Sequence, residues 1–267
     1  MKYKLFIADF DGTLGNVPDF IEEDTVKAIK EYEKKGGKFS IITGRSYSSI
    51  KAICVKYGIE CVVAAFQGAR INDLKENKEL YNGGIDYKIA TEVIKELKSL
   101  GLSISVWSDD ILYYTEENFY TDLYAGKLDQ RNSFKTPDIC KALLRDKKPV
   151  SKVCIITERE NKDKVCERLS KKYQGKFIVN SGANCLIEII DPKLNKGYAV
   201  RKIAEYYGIP LNEVLAVGDS TNDLELLQGE WHGVAVGDGS EKLKSIAKEI
   251  TVDYKDKPVK VLLEKYS

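Results

Sequence analysis

A short apolar run, Tyr3-Lys-Leu-Phe-Ile-Ala8, stops at two carboxylates one residue apart, followed by a glycine: Asp9-Phe-Asp11-Gly12-Thr13-Leu14. A run of that length closed by a polar turn predicts a buried strand. Asp and Gly are ordinary turn formers, so a plain strand-ending turn would use the same residue types. Two carboxylates placed this way also repel one another unless a cation sits between them, and an unpaired buried charge is costly. The pattern therefore favours a bound hard cation. Mg²⁺ suits it, because that ion takes one or two carboxylates together with waters and substrate phosphate.

The rest of the chain says what sheet this strand joins. After a loop with Gly12, Gly15 and Pro18, the residues Val26, Ile29 and Tyr32 fall at helical spacing within 22–35, and Gly36-Gly37 ends that helix. A strand at Phe39–Ile42, then Thr43-Gly44-Arg45, a helix over 46–57 stopped by Gly58, and a strand over 59–64 complete a strand-helix alternation. That alternation predicts a parallel sheet covered by helices. The rhythm breaks at Tyr81-Asn-Gly-Gly84. Beyond it the pattern predicts helix 86–100, strands 102–107 and 111–115, helix 137–146, strand 151–157, helix 160–173, and strands 176–180 and 185–190. This order does not alternate and reads as α+β. The first rhythm then returns: a helix over 196–207 stopped by Gly208 and Pro210, a strand over 215–218 ending at Asp219, and short strands over 233–236 and 250–252. The expectation is one α/β parallel-sheet domain made of 1–83 and 191–267, with an α+β unit, 84–190, inserted into it.

Composition removes several functions. The 267 residues suit one large domain or two smaller ones, and 43% hydrophobic residues allow a sizeable core. With 42 basic against 41 acidic residues the net charge is +1. This balance argues against a broadly cationic nucleic-acid binder and against an acidic tail protein, so no nucleic-acid partner is expected. No apolar run reaches the ~18 residues of a membrane span, and no membrane partner is expected. Lys2 and Lys4 lead straight to Asp9 and Asp11, unlike a signal peptide. The six cysteines, at 54, 61, 140, 154, 166 and 185, form no CxxC pair and read as reduced thiols of a cytoplasmic protein. The single histidine, His232, excludes a His-rich zinc site and leaves a Ser/His/Asp triad only one base. It reads as structural or surface.

Three more stretches carry chemistry. Val217-Gly218-Asp219-Ser220-Thr221-Asn222-Asp223 again closes a strand with acids. An Asx turn capping a helix near Asn222 would use the same residues, and a cap can serve a site as well. Thr43 offers a hydroxyl to an anion pocket, or is merely polar at a helix start. Lys196-Gly197 opens a helix where the dipole disfavours a cation, or Lys196 is one more solvated lysine.

Taken in order and spacing, these four stretches resemble the haloacid dehalogenase (HAD) superfamily of phosphohydrolases, and the long insert resembles the type-2 (C2B) cap of its Cof-like branch. The resemblance implies a Rossmann-like core with the site at the carboxyl ends of its strands, as is general for open α/β sheets. It implies Asp9 as the nucleophile that forms an aspartyl-phosphate, and Asp11 as the acid and then the base. It implies Mg²⁺ held by Asp9, Asp219 and the backbone carbonyl of Asp11, with Asp223 on the metal or its waters. Thr43 and Lys196 would bind phosphoryl oxygens, Gly12 and Gly44 would let backbone amides approach them, and Asn222 would orient Lys196 or the phosphate. The cap would choose the leaving group; Trp107, Asp109, Ser181 and Asn184 are the residues expected to face it, while most cap aromatics are expected to be core. A small phosphorylated metabolite is the expected partner, a sugar phosphate or a ring that aromatics could stack on, and the protein is expected to be a monomer or homodimer.

Two positions depart from the branch's usual pattern. Gln67 stands in Phe66-Gln67-Gly68-Ala69 where relatives commonly have Asn, and Asp238 follows Gly237 where they have Asn. Asp238 is expected to cap the helix after Gly239. Two other functions stay open beside the phosphatase: a phosphomutase or phosphotransferase that hands the group to a sugar hydroxyl, and a non-catalytic phosphometabolite-binding protein. A dehalogenase does not fit, since those relatives need neither a metal nor the second Asp.

Overall fold

Leu5–Ala8 forms strand β1, buried along its whole length. A strand without polar alternation can only sit inside a sheet covered on both faces. Each large aliphatic side chain so buried contributes about 1.5–3 kcal/mol relative to exposure. The computed structural model describes residues 1–16, 19–118, 121, 132–182 and 185–267. Helix α1 (Glu23–Lys34) turns Val26, Ala28, Ile29 and Tyr32 inward. Strand β2 (Lys38–Ile42), helix α2 (Tyr47–Tyr57) and strand β3 (Val62–Ala65) follow. Then come β4 (Arg70–Asp73) and β5 (Lys78–Asn82).

Residues 59–61, expected in the third strand, instead close α2. Gly58 is left-handed and the Ile59 amide bonds the Cys54 carbonyl at 2.9 Å. Strands β4 and β5 were not expected. β4 runs antiparallel to β3 and extends the sheet sideways.

The chain divides into two compact units, 1–81 with 195–267, and 82–194. Within the second unit lie α3 (Tyr87–Ser99), β6 (Ser103–Ser108), β7 (Ile111–Tyr114), β8 (Ser133–Lys135), α4 (Ile139–Asp146), β9 (Val150–Ile156), α5 (Lys162–Lys172), β10 (Ile178–Ser181) and β11 (Leu186–Ile190). Its sheet order is β10-β11-β9-β6-β7-β8, antiparallel except for the β7–β8 pair. Asp86 and Asp138 cap α3 and α4 through their carboxylates, which is why both helices start one or two residues later than the apolar spacing predicts. Tyr113, Val106, Val153, Ile187 and Leu143 share its core.

The first unit resumes with α6 (Lys196–Tyr207), β12 (Val214–Gly218), α7 (Leu224–Leu227), β13 (His232–Ala235), α8 (Glu241–Lys244), β14 (Glu249–Ile250) and α9 (Pro258–Tyr266). Its sheet order is β14-β13-β12-β1-β2-β3-β4-β5. The pairs from β14 through β3 are parallel, so the chain returns after a long excursion to lay β12 directly beside β1. The fold is α/β, with a parallel-rich sheet.

Two expectations resolve here. His232 is a structural residue, bonded to Glu249 at 2.8 Å and stacked on Tyr3. Asp238 does not cap the following helix. Ser240 does, accepting from the Leu243 amide, while Asp238 accepts from the Tyr254 amide at 2.9 Å. All six cysteines are free thiols.

Candidate active site

The parallel register places the ends of β1 and β12 side by side, and the Asp9 amide continues that ladder to the Val217 carbonyl at 2.9 Å. Asp9 and Asp219 therefore leave neighbouring strands at the same level. Asp223 reaches them from the turn after β12: its Oδ2 accepts the amides of Asp219 and Ser220, at 3.1 and 3.0 Å, and completes a capping box with Ser220. The same residue is thus a cap and a member of the site. Asp9, Asp219 and Asp223 can each offer a carboxylate oxygen within 4.8 Å of the others.

Two glycines make room for this. Gly12 has φ +80, and a Cβ there would stand 2.6 Å from Asp219 Oδ2; a Cβ on Gly218 would stand 2.7 Å from the Asp223 side chain. Gly12→Ala is expected to push Asp219 aside and to strain the turn. The half-saturating divalent-ion concentration in an activity titration should rise about 10-fold or more, as when ligand-supporting groups are lost. An unchanged titration would show that Asp219 is not needed for the metal.

Lys196 is the first residue of α6, only 1% exposed. Its Nζ donates to Asp9 Oδ1 at 2.5 Å and to Asp223 Oδ1. The expected alternative, a solvated lysine, is excluded. Burial disfavours its charge, but Asp223 and Asp9 outweigh burial and hold its pKa above the usual lysine range. Asp9 is pushed well up, first by burial and then by the charge of Asp223, against the pull of Lys196. Burial and the Asp223 charge also raise Asp219, to about 6. Three acids against one lysine leave the cluster short of positive charge, which is the condition a divalent cation relieves. The donor set, all hard carboxylate oxygen, fits such an ion.

Thr43 follows β2 and is buried; its Oγ1 accepts the Arg45 amide at 3.2 Å. Gly44 packs under the side chain of Gln67. The Asp11 carboxylate stands apart from the cluster of three. Arg45 clamps it from Nε and Nη2 at 2.9 and 2.7 Å, and also bonds Asp19. Asn222 is exposed and takes a hydrogen bond from Ser220, while the bonds that orient Lys196 come from Asp9 and Asp223. The sequence reading assigned no role to Arg45 or to Thr13, whose hydroxyl donates to Asp219 Oδ1 at 3.1 Å. Each directly follows a glycine of the site, Thr13 after Gly12 and Arg45 after Gly44.

In the second unit, Trp107 is buried on β6 opposite Lys152 of β9. Asp109 sits in the β6–β7 turn and accepts from Asn82 at 2.8 Å. Ser181 ends β10 and is exposed. Asn184 lies outside the described residues.

Comparison with known proteins agrees with this geometry. The haloacid dehalogenase-like hydrolase family model matches residues 6–263. A Haemophilus influenzae protein is 30% identical over 273 residues, 99% of this chain and 98% of its own. The 5-amino-6-(5-phospho-D-ribitylamino)uracil phosphatase of Bacillus subtilis is 26% identical over 275 residues, 99% of this chain and 98% of its own. A crystal structure from Thermotoga maritima superposes with a TM-score of 0.87 at 26% identity, covering 99% of this chain and 98% of that one. The chain belongs to the haloacid dehalogenase-like hydrolases. It is a phosphatase and acts on a phosphorylated substrate.

Proposed function

We propose that the protein is a Mg²⁺-dependent phosphohydrolase that cleaves small metabolite phosphate monoesters, sugar phosphates or related compounds, through an aspartyl-phosphate. The observation that carries this reading is the convergence of Asp9, Asp219 and Asp223 around Lys196 at the ends of two adjacent parallel strands.

Asp9 is the nucleophile. A carboxylate oxygen attacks phosphorus, the ester bond breaks, and the phosphoryl group is carried on Asp9 until water releases it. Asp11 supplies the proton that the leaving oxygen needs and later takes one from the attacking water. Clamped by a guanidinium, the Asp11 carboxylate is an acceptor. Proton delivery therefore requires Arg45 to loosen its hold as the leaving oxygen arrives. Thr43, Lys196, Asn222 and the amides near Gly12 and Gly44 hold the phosphoryl oxygens, and Lys196 spreads the charge of a loose transition state. Asp9, Asp219 and the Asp11 carbonyl would hold Mg²⁺, with Asp223 on the ion or its waters; the ion supplies Lewis-acid stabilisation of phosphoryl charge. Residues 1–83 and 191–267 form the catalytic core. Residues 84–190 would be the unit that selects the leaving group.

The test is hydrolysis of p-nitrophenyl phosphate and of a panel of phosphorylated metabolites. Chelation of divalent ions is expected to cut the rate at least about 100-fold, with recovery on adding Mg²⁺. Transfer of a labelled phosphoryl group to a sugar hydroxyl, with no inorganic phosphate, would make the protein a phosphotransferase. Tight metabolite binding without turnover would make it a sensor.

A further inference from the structure

The turn after β3 is strained in a way the reactions above do not use. Phe66 and Gln67 have φ of 50 and 60, and Gly68 follows at φ 104. Two successive side-chain-bearing residues in the left-handed region are costly, and such strain persists where surrounding structure enforces it, often at ligand clamps. The enforcement is visible. The Gln67 amide bonds the Thr43 carbonyl and the Phe66 amide bonds the Arg45 carbonyl, each at 2.9 Å. On its other side the turn meets the start of α6. A Cβ on Gly68 would lie 3.0 Å from the Asn195 carbonyl, one residue before Lys196. Gln67 is thus wedged between the two elements that carry Thr43 and Lys196.

Its side chain lies across the bare face of Gly44. Nε2 stands 2.8 Å from where a Cβ on that glycine would be. Its Oε1 is shut away from solvent and has no hydrogen-bond partner among the described residues. A buried acceptor left orphaned beside a phosphoryl site calls for a donor that arrives with the ligand. Phosphoryl oxygens are acceptors and cannot satisfy it. A hydroxyl on the alcohol part of the ester can.

We propose that the Gln67 carboxamide reads the leaving group, accepting a hydrogen bond from a hydroxyl close to the ester oxygen. The enzyme then selects polyol-type phosphate monoesters over alkyl ones. This rests on the phosphatase reading above, and the test separates the two.

The experiment compares kcat/KM for glycerol 1-phosphate and propyl phosphate, which share a carbon skeleton and differ in hydroxyls, in the wild type, Gln67→Met and Gln67→Asn. Met keeps the length of the side chain and removes the acceptor. Asn tolerates the left-handed backbone but falls short. The wild type should prefer the hydroxylated ester by about tenfold, and both variants should bring that ratio to about one. A destabilised but folded protein would lower both rates and leave the ratio alone. A wild-type ratio near one, or a ratio the variants do not change, overturns the assignment. So does an equal loss on both esters accompanied by weaker inhibition by inorganic phosphate, which would make Gln67 a phosphoryl ligand. Wild-type turnover of either ester supports the phosphatase reading whatever the ratio; turnover of neither removes both.

Discussion

Asp9→Asn is expected to cut kcat for p-nitrophenyl phosphate by at least about 10⁴-fold, the scale seen when a covalent nucleophile is lost. The amide oxygen that replaces the carboxylate keeps the shape of the side chain and its bond from Lys196, but it cannot attack phosphorus. Wild-type protein quenched during turnover should carry one phosphoryl group by mass, and the variant none. The same substitution should stabilise the metal-free protein. Asp9 is a buried acid that faces Asp223 and Asp219, with one lysine between them. Removing one negative charge brings the cluster nearer balance, so the melting temperature should rise by about 2–4 °C, equivalent to roughly 1 kcal/mol in a chain of this size. Opposite signs for activity and stability mark a group kept for chemistry at a cost to the fold. Full activity in Asp9→Asn would refute the nucleophile. Loss of activity together with a lower melting temperature would point to a merely structural acid.

The reason Asp9 and Asp219 can be found from sequence is that each directly ends a run of buried residues, and in a parallel sheet such runs end on the same edge. Strand period and strand end are local properties, and both are readable in a few residues. The clamp of Arg45 on Asp11 is different. It joins the β2–α2 connection to the loop after β1, its partners 34 positions apart, and nothing in either segment names the other. Taken alone, Lys196 looks like one lysine among many, because its partner Asp9 lies 187 positions earlier in the chain; only the resemblance to a family assigns it to the phosphoryl site. Asp238 departs from its expected role for a local reason: Ser240 stands closer to the helix start and takes the cap, which frees Asp238 for the Tyr254 turn. The last helix lies outside the expected elements although its signals are ordinary, with Pro258 in the first turn and Val259, Leu262 and Leu263 buried at helical spacing. Strands β4 and β5 were harder. Arg70-Ile-Asn-Asp and Lys78-Glu-Leu-Tyr-Asn are polar enough to pass for loop, and their strand state is set by pairing at a sheet edge.

Lys196→Met is expected to be the most damaging single change to the fold of the site. It leaves Asp9 and Asp223, both buried, without their shared cation. Breaking a buried pair from one side costs about 3–5 kcal/mol, because the partner charge stays buried and uncompensated. For a chain of this length that is a fall of roughly 10 °C or more in melting temperature. Removing Asp223 as well, in Lys196→Met/Asp223→Asn, should recover part of the loss, since the double variant no longer strands that charge. Mg²⁺ should raise the melting temperature of Lys196→Met more than that of the wild type, because ion and lysine answer the same excess of negative charge. The pH dependence has a definite sign. Burial and Asp223 hold Asp219 up to about 6, whereas an unfolded aspartate titrates near ~3.9. Between those values the native state binds more protons than the unfolded one, so metal-free stability falls as pH rises through that window. The fall should be steeper in Lys196→Met, where Asp9 loses the lysine that opposes its own upward shift. A Lys196→Met protein as stable as the wild type without metal at neutral pH would mean that the three acids are not held close together. The metal site, the nucleophile and the phosphoryl pocket inferred from their convergence would then fall together.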